Sequence, residues 1–60
     1  MNIGQLVRVP VHGGGIVERV VLQIIDNKVV VGTIEEYSSS QREERPARGV
    51  GYDLEEVFLP

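Results

Sequence analysis

The histidine of this chain lies where an anion could bind. His12 is the only histidine, and it precedes Gly13, Gly14 and Gly15, so an imidazole would stand beside glycine backbone N–H groups. A phosphate-binding loop also needs a helix start and a Lys-Ser or Lys-Thr pair after the glycines, and the sequence has neither there. We therefore interpret His12 as a solvated turn residue and expect the glycines to adopt positive φ angles.

Carboxylates and hydroxyls offer the other catalytic chemistry. The acids include three adjacent pairs, at 35–36, 43–44 and 55–56, and three serines follow one another at 38–40. Adjacent strand residues point to opposite faces and adjacent loop acids usually keep the loop solvated, so neither arrangement predicts a general acid–base pair. The serines have no histidine nearby along the chain to act as a base. Cysteine is absent and one histidine cannot hold a structural zinc ion, so we expect no catalytic residue, no bound metal and no cofactor.

Three arginines form the main concentration of positive charge. Arg42, Arg45 and Arg48 fall within seven residues, but Glu43 and Glu44 lie among them. The whole chain has nine acids and six bases, a net charge of −3, which opposes tight binding to a phosphate backbone. We expect a solvated loop here, and contact of these three arginines with nucleic acid is the alternative.

Runs of β-branched residues predict the strands that would position these groups. The stretch 20–31 has two apolar runs around Asp26 and Asn27, which is typical of two strands joined by a tight turn. We predict strands at about 5–11, 16–25, 28–34 and 49–52.

The second strand is apolar on both sides. If its side chains alternate strictly, Val20, Leu22 and Ile24 share one face, and Val21 and Ile25 share the other. Such a strand has to be covered twice, either by a second copy of the chain or, if the strand bends sharply, by both halves of a small closed barrel. Both explanations remain open, and self-association would also help a 60-residue chain that buries little surface. The residues expected at an oligomer interface are Val21, Gln23, Ile25, Val29 and Val31.

The segment 35–49 differs from the rest of the chain in composition. Its only apolar residues are Tyr37 and Ala47, so it cannot contribute much to a core. We expect a long polar loop, and because Ser38 and Gln41 have the spacing of a capping box, one exposed helical turn is the alternative. After the fourth strand, 53–57 predicts a short 3-10 turn and 58–59 a last strand.

The order of these elements resembles the Src-homology-3-like (SH3-like) small barrels, including domains of the KOW type. The resemblance rests on the opening Gly4–Val9, the glycine turn, the long strand with its hairpin partner, and the closing Val50–Val57, where the tight turn precedes the last strand. It implies an all-β fold, a five-stranded SH3-like small barrel with a long polar loop. KOW-type domains bind ribosomal RNA or the transcription machinery, usually through basic loops, whereas this chain is acidic.

Other proteins that share this small-barrel fold have different functions. The type II dihydrofolate reductases, more distant in their resemblance, carry a Val-Gln-Ile-Tyr motif, and Val50-Gly51-Tyr52 lacks its glutamine. A Src-homology-3 peptide groove needs several clustered aromatic residues, and this chain has two tyrosines and one phenylalanine. The resemblance therefore implies an architecture and little about activity.

The sequence favours a binding function over a catalytic one. No basic segment precedes an apolar one and every apolar run is short, so we expect neither a signal peptide nor a membrane span. We expect a single domain over 1–60, located in the cytoplasm. The predicted function is a non-enzymatic interaction or assembly module that associates with itself.

Overall fold

Four antiparallel strands and one α-helix make up the structure. The computed structural model describes residues 1–60. Strands β1 (Leu6–Pro10), β2 (Ile16–Ile25), β3 (Lys28–Gly32) and β4 (Val50–Asp53) form one sheet in the order β1-β2-β3-β4. Helix α1 (Ile34–Arg42) lies between β3 and β4 in the chain, and a 3-10 turn, Leu54–Glu56, follows β4.

The prediction of an all-β, five-stranded SH3-like barrel is wrong. The sheet has four strands and is open, and α1 adds a helix to the fold. The expected fifth strand at 58–59 is a single bridge, in which the backbones of Arg8 and Phe58 exchange hydrogen bonds of 2.7 and 2.8 Å. This single pair holds the segment around Phe58 against β1, but one pair does not make a fifth strand and does not close the sheet.

Helix α1 occupies much of the segment predicted as a polar loop at 35–49. The Thr33 hydroxyl caps it by accepting a hydrogen bond of 3.0 Å from the backbone N–H of Glu36. Glu35 and Glu36 lie in its first turn, where the helix dipole favours negative charge. The loop prediction fails because the helix is capped by Thr33, the residue directly after β3, and not by Ser38. With nine residues and a polar sequence, α1 is too short and too polar to cross a bilayer.

Several local predictions are confirmed. β2 covers 16–25 as expected, and Asp26 has the positive φ, 51°, that the turn into β3 requires. The three glycines after His12 have φ angles of 92°, 100° and 91°. The 3-10 turn lies within the predicted 53–57, and its Glu56 side chain accepts a hydrogen bond of 3.0 Å from the backbone N–H of Asp53.

The core consists of valines on one face of the sheet. Its members are Val7, Val9, Val21, Val29 and Val31, with Val17, Tyr52 and Val57 packed against them. β2 does not alternate strictly, because the register shifts between Val21 and Gln23. A bulge inserts one unpaired residue, so the side chains beyond it change faces. Ile24 therefore pairs with core residue Val29, and the predicted face assignment is wrong beyond Val21.

The middle of β2 is covered on both sides within one chain. Val21 is fully buried in the core, and its neighbour Val20, outside that cluster, is 3% exposed. Val20 pairs with Leu6 and Gly32, and α1 is the helix that packs against β2. The apolar character of the two faces at this point therefore requires no second copy.

Candidate binding groove

A groove of about 410 Å³ opens at the end of the sheet that is remote from the β2–β3 turn. Val17 of β2, Val31 of β3 and Val50 of β4 supply its apolar lining. Its polar lining comes from Arg19, Thr33, Glu36, Arg48 and Tyr52. The groove thus combines aliphatic side chains with two guanidinium groups.

Glu36 links α1 to the segment that leads into β4. Its carboxylate accepts hydrogen bonds of 2.6 and 3.4 Å from the Arg45 guanidinium and one of 2.9 Å from the Arg48 backbone N–H. The Arg45 hydrogen bonds are the main cause, and the Arg48 N–H the second, of a Glu36 pKa lowered to about 2. The pKa of Arg45 is raised by the same contact and by Glu43, whose carboxylate lies 2.9 Å from its Nε. Near neutral pH, Glu36 is a fixed anion and not a proton acceptor.

The three arginines proposed for nucleic-acid contact have different environments. Arg45 is bound by two carboxylates, and Arg42 donates a hydrogen bond of 3.3 Å to the Ser39 hydroxyl. The Arg48 side chain is exposed, makes no ion pair and lies at the groove. Since the charge of Arg45 is already neutralised, this arrangement does not favour phosphate binding, and nucleic-acid contact stays a prediction.

Arg19 is the site residue that sequence reasoning missed. It pairs with the buried Val7, which places it on the core-facing side of β2 between Val17 and Val21. It is half-buried, its guanidinium donates a hydrogen bond of 2.7 Å to the Glu18 backbone carbonyl, and it makes no ion pair. The sequence does show a cation that interrupts the apolar face of β2. Because a charge that is removed from water requires a partner, this position indicates a candidate binding residue.

The five residues predicted at an oligomer interface are divided between the core and the surface. Val21, Val29 and Val31 lie in the core of the single chain and are not available to a second copy. Gln23 and Ile25 are exposed near the β2–β3 turn. The oligomer interface itself stays a prediction, now limited to this exposed end of the hairpin.

Three aliphatic side chains are exposed near this end, where Ile24 lies on the core-facing side of the sheet and Ile25, the next residue, on the other face. Ile24 and Ile25 are the last residues of β2, and Leu54 is brought beside the turn by a hydrogen bond of 2.8 Å from its N–H to the Asn27 carbonyl. They are 41%, 48% and 47% exposed, respectively. We call Ile24, Ile25 and Leu54 the hairpin end.

The remaining candidates for chemistry do not assemble into a site. His12 is exposed in its glycine turn, and no group of three His, Cys, Asp or Glu residues is arranged to hold a metal ion. The chain matches no known protein family, no characterised protein and no solved structure. The resemblance to KOW-type domains therefore stays a prediction, and the groove and the hairpin end are interpreted from their own residues.

Proposed function

We propose that the chain is a non-enzymatic assembly module that associates with copies of itself through the hairpin end. The exposure of Ile24, Ile25 and Leu54 at one end of the sheet carries this proposal. Single exposed aliphatic residues are ordinary, but three at one end of a small sheet add apolar surface whose burial is favourable. A second copy is the occupant that this proposal requires.

The balance of buried and exposed side chains also supports association. Six hydrophobic residues are buried, all of them valines, whereas eleven large hydrophobic residues are exposed. Burial of only six valines gives a small domain little free energy to offset its conformational entropy. Burial of further aliphatic surface between copies would stabilise the folded chain by mass action.

A catalytic function finds less support in the same structure. The one carboxyl group with a strongly lowered pKa, Glu36, is held by the Arg45 guanidinium and the Arg48 N–H. A group poised for proton transfer needs a pKa near the working pH, and this one is displaced in the opposite direction. We therefore assign Glu36 a structural role.

Light scattering over a concentration series tests the proposal. The mass of the wild type is expected to rise above 6.6 kDa as concentration increases. Ile25→Lys places a charge in the hairpin end and is expected to weaken association at least about tenfold without unfolding the chain, since Ile25 is already half exposed.

Ile3→Lys is the matched control. Ile3 is 59% exposed, precedes β1 and belongs to neither the hairpin end nor the groove. We expect this variant to associate as the wild type does. A wild type that remains monomeric at every concentration would refute the proposed function.

A further inference from the structure

The two ends of the sheet carry opposite charge beside apolar surface. Asp26, Glu55 and Glu56 lie near the hairpin end in the chain, are exposed and form no ion pair. Lys28, the cation of this turn, is bound to the Asp53 carboxylate, so the net charge of this end is negative. The groove holds Arg19 and Arg48, neither of which has a carboxylate partner within ion-pair distance. One molecule thus presents an acidic apolar end and a basic apolar groove.

From this complementarity we propose that copies associate head to tail, with the hairpin end of one copy in the groove of the next. The inference rests on the proposed function and specifies its geometry. Leu54 of one copy contacts the valine lining of the groove, and the Glu55 carboxylate contacts the guanidinium groups of Arg19 and Arg48. Because two different surfaces meet, the contact is heterologous and repeats from copy to copy.

The groove has the size and the free donors that this contact needs. Its volume of about 410 Å³ is more than ten times the roughly 30 Å³ that a water molecule occupies in the liquid, so it accommodates more than one side chain. Arg19 uses one N–H of its guanidinium on a backbone carbonyl, which leaves donors for an incoming carboxylate.

The carboxylate already in the groove, Glu36, is held mainly by donors other than the Arg19 and Arg48 guanidinium groups. Glu36 accepts from the Arg45 guanidinium and from the Arg48 backbone N–H, so its charge is largely neutralised within the chain. The Arg48 guanidinium is exposed and makes no ion pair. The groove therefore retains positive charge for an anionic partner.

The geometry keeps the two surfaces of one molecule apart. Val17 lies near the start of β2 and Ile25 is its last residue, so they are roughly 25 Å apart along the extended strand. A chain cannot place its own hairpin end in its own groove. Contact between them requires a second copy.

Charge reversal at each surface tests the proposal. Arg48→Glu alters the groove and Glu55→Lys alters the acidic end, and both residues are exposed, so both variants are expected to keep the wild-type melting curve. By sedimentation equilibrium, each variant alone is expected to associate about tenfold more weakly than the wild type. Arg8→Glu, which removes an exposed ion pair with Glu18 outside the groove, is the control and is expected to associate normally.

A mixture of the two single variants tests this contact further, and a double variant distinguishes it from a symmetric one. The Arg48→Glu chain keeps its acidic end and the Glu55→Lys chain keeps its groove, and their two altered surfaces also carry opposite charges. An equal mixture is therefore expected to associate with the two kinds of chain alternating. The double variant Arg48→Glu/Glu55→Lys restores the ion pair in the reversed sense and is expected to regain association. A symmetric contact between two hairpin ends would also bring the two kinds of chain together in the mixture, because Glu55 of one would meet the lysine of the other. It predicts no recovery in the double variant, whose ends carry like charges. A double variant that associates no more strongly than Glu55→Lys alone would therefore overturn the head-to-tail contact.

Salt provides an independent measurement. Opposite charges attract across a head-to-tail contact, so raising the salt concentration is expected to weaken association. Two acidic hairpin ends would repel each other, and association would then strengthen with salt, contradicting the proposal. A wild type that is monomeric throughout would refute the proposed function, whereas an oligomer unaffected by either charge reversal would refute the head-to-tail contact alone.

Discussion

Glu36 contributes stability that depends on pH. Its pKa is lowered from 4.5 to about 2, chiefly by the Arg45 hydrogen bonds and next by the Arg48 N–H. Because the pKa is lower in the folded state than in the unfolded chain, the contribution is complete above pH 4.5 and is lost as the pH falls toward 2. At pH 7 the Glu36→Gln variant is expected to melt below the wild type, and the difference is expected to narrow below pH 4.5, as measured by circular dichroism.

Glu35→Gln is the control for this pH dependence. Glu35 neighbours Glu36 in the first turn of α1, is exposed and makes no ion pair. Its substitution removes the same charge without removing the contact with Arg45, so its melting temperature is expected to stay near that of the wild type. A difference between the wild type and Glu36→Gln that is unchanged at low pH would show that ionisation of Glu36 is not the cause.

The sequence shows part of this charge arrangement. Acids interleaved with Arg42, Arg45 and Arg48 predict mutual neutralisation, and the ion pair between Arg45 and Glu43 confirms it locally. The stronger partner of Arg45 is Glu36, nine residues earlier, and α1 has to form before the two can meet. Arg19 was missed for a similar reason, because its lack of a carboxylate partner depends on the packing around it.

At the scale of elements, the sequence predicts the strands better than the helix. Runs of β-branched residues indicate the strands, whereas the polar segment that forms α1 has no comparable signal. α1 contains three consecutive serines and has no continuous apolar stripe, so its intrinsic helix propensity and its amphipathic signal are both weak. The Thr33 cap and the acidic first turn stabilise it, and the buried Ser40 hydroxyl is satisfied by donating a hydrogen bond of 2.9 Å to the Tyr37 carbonyl. Burial of Ser40 follows from the fold, so sequence spacing alone could not predict it.

The register shift in β2 explains the error in its face assignment. Strict alternation places Ile24 with Val20, but the shift between Val21 and Gln23 places it opposite Val29. No glycine or proline marks this position, since the unpaired residue is Leu22. A bulge without such a residue leaves no clear signal in the sequence.

The approach of β4 to β3 depends on the absence of a side chain at position 49. A Cβ added to Gly49 would lie 2.7 Å from Leu22 Cδ1 and closer still to the carbonyl oxygen of Val31. The backbone at Val31 cannot move aside without disturbing the sheet. Gly49→Ala is therefore expected to lower the free energy of unfolding by about 2 kcal/mol, measured by urea denaturation.

Gly51→Ala is the matched control within the same segment. A Cβ at Gly51 would meet nothing within 4 Å. The expected change in the free energy of unfolding is within about 0.5 kcal/mol. Equal losses of stability in the two variants would contradict the explanation by close packing and would point to the flexibility of glycine instead.

At the scale of the whole molecule, the sheet is open but its first and last strands are connected. The Tyr52 hydroxyl of β4 donates a hydrogen bond of 2.9 Å to the Pro10 carbonyl of β1, and Phe58 pairs with Arg8 on the same strand. Phe58 also occupies part of the free edge of β1, which limits edge-to-edge pairing with other chains. The predicted fifth strand rested on two apolar residues, Phe58 and Leu59, and two residues are too few to tell a full strand from a single bridge.

The hydrogen bond between Tyr52 and Pro10 joins residues 42 positions apart. Tyr52→Phe removes this hydrogen bond but keeps the aromatic ring against the core. We expect the free energy of unfolding to fall by about 1 kcal/mol and the melting temperature by about 4–8 °C for a chain of this size. Tyr37→Phe is the control, because the Tyr37 hydroxyl lies over Gly4 and donates no hydrogen bond to another element. If calorimetry found Tyr52→Phe as stable as the wild type, the bridge of Arg8 with Phe58, and not this hydroxyl, would hold the two strands together.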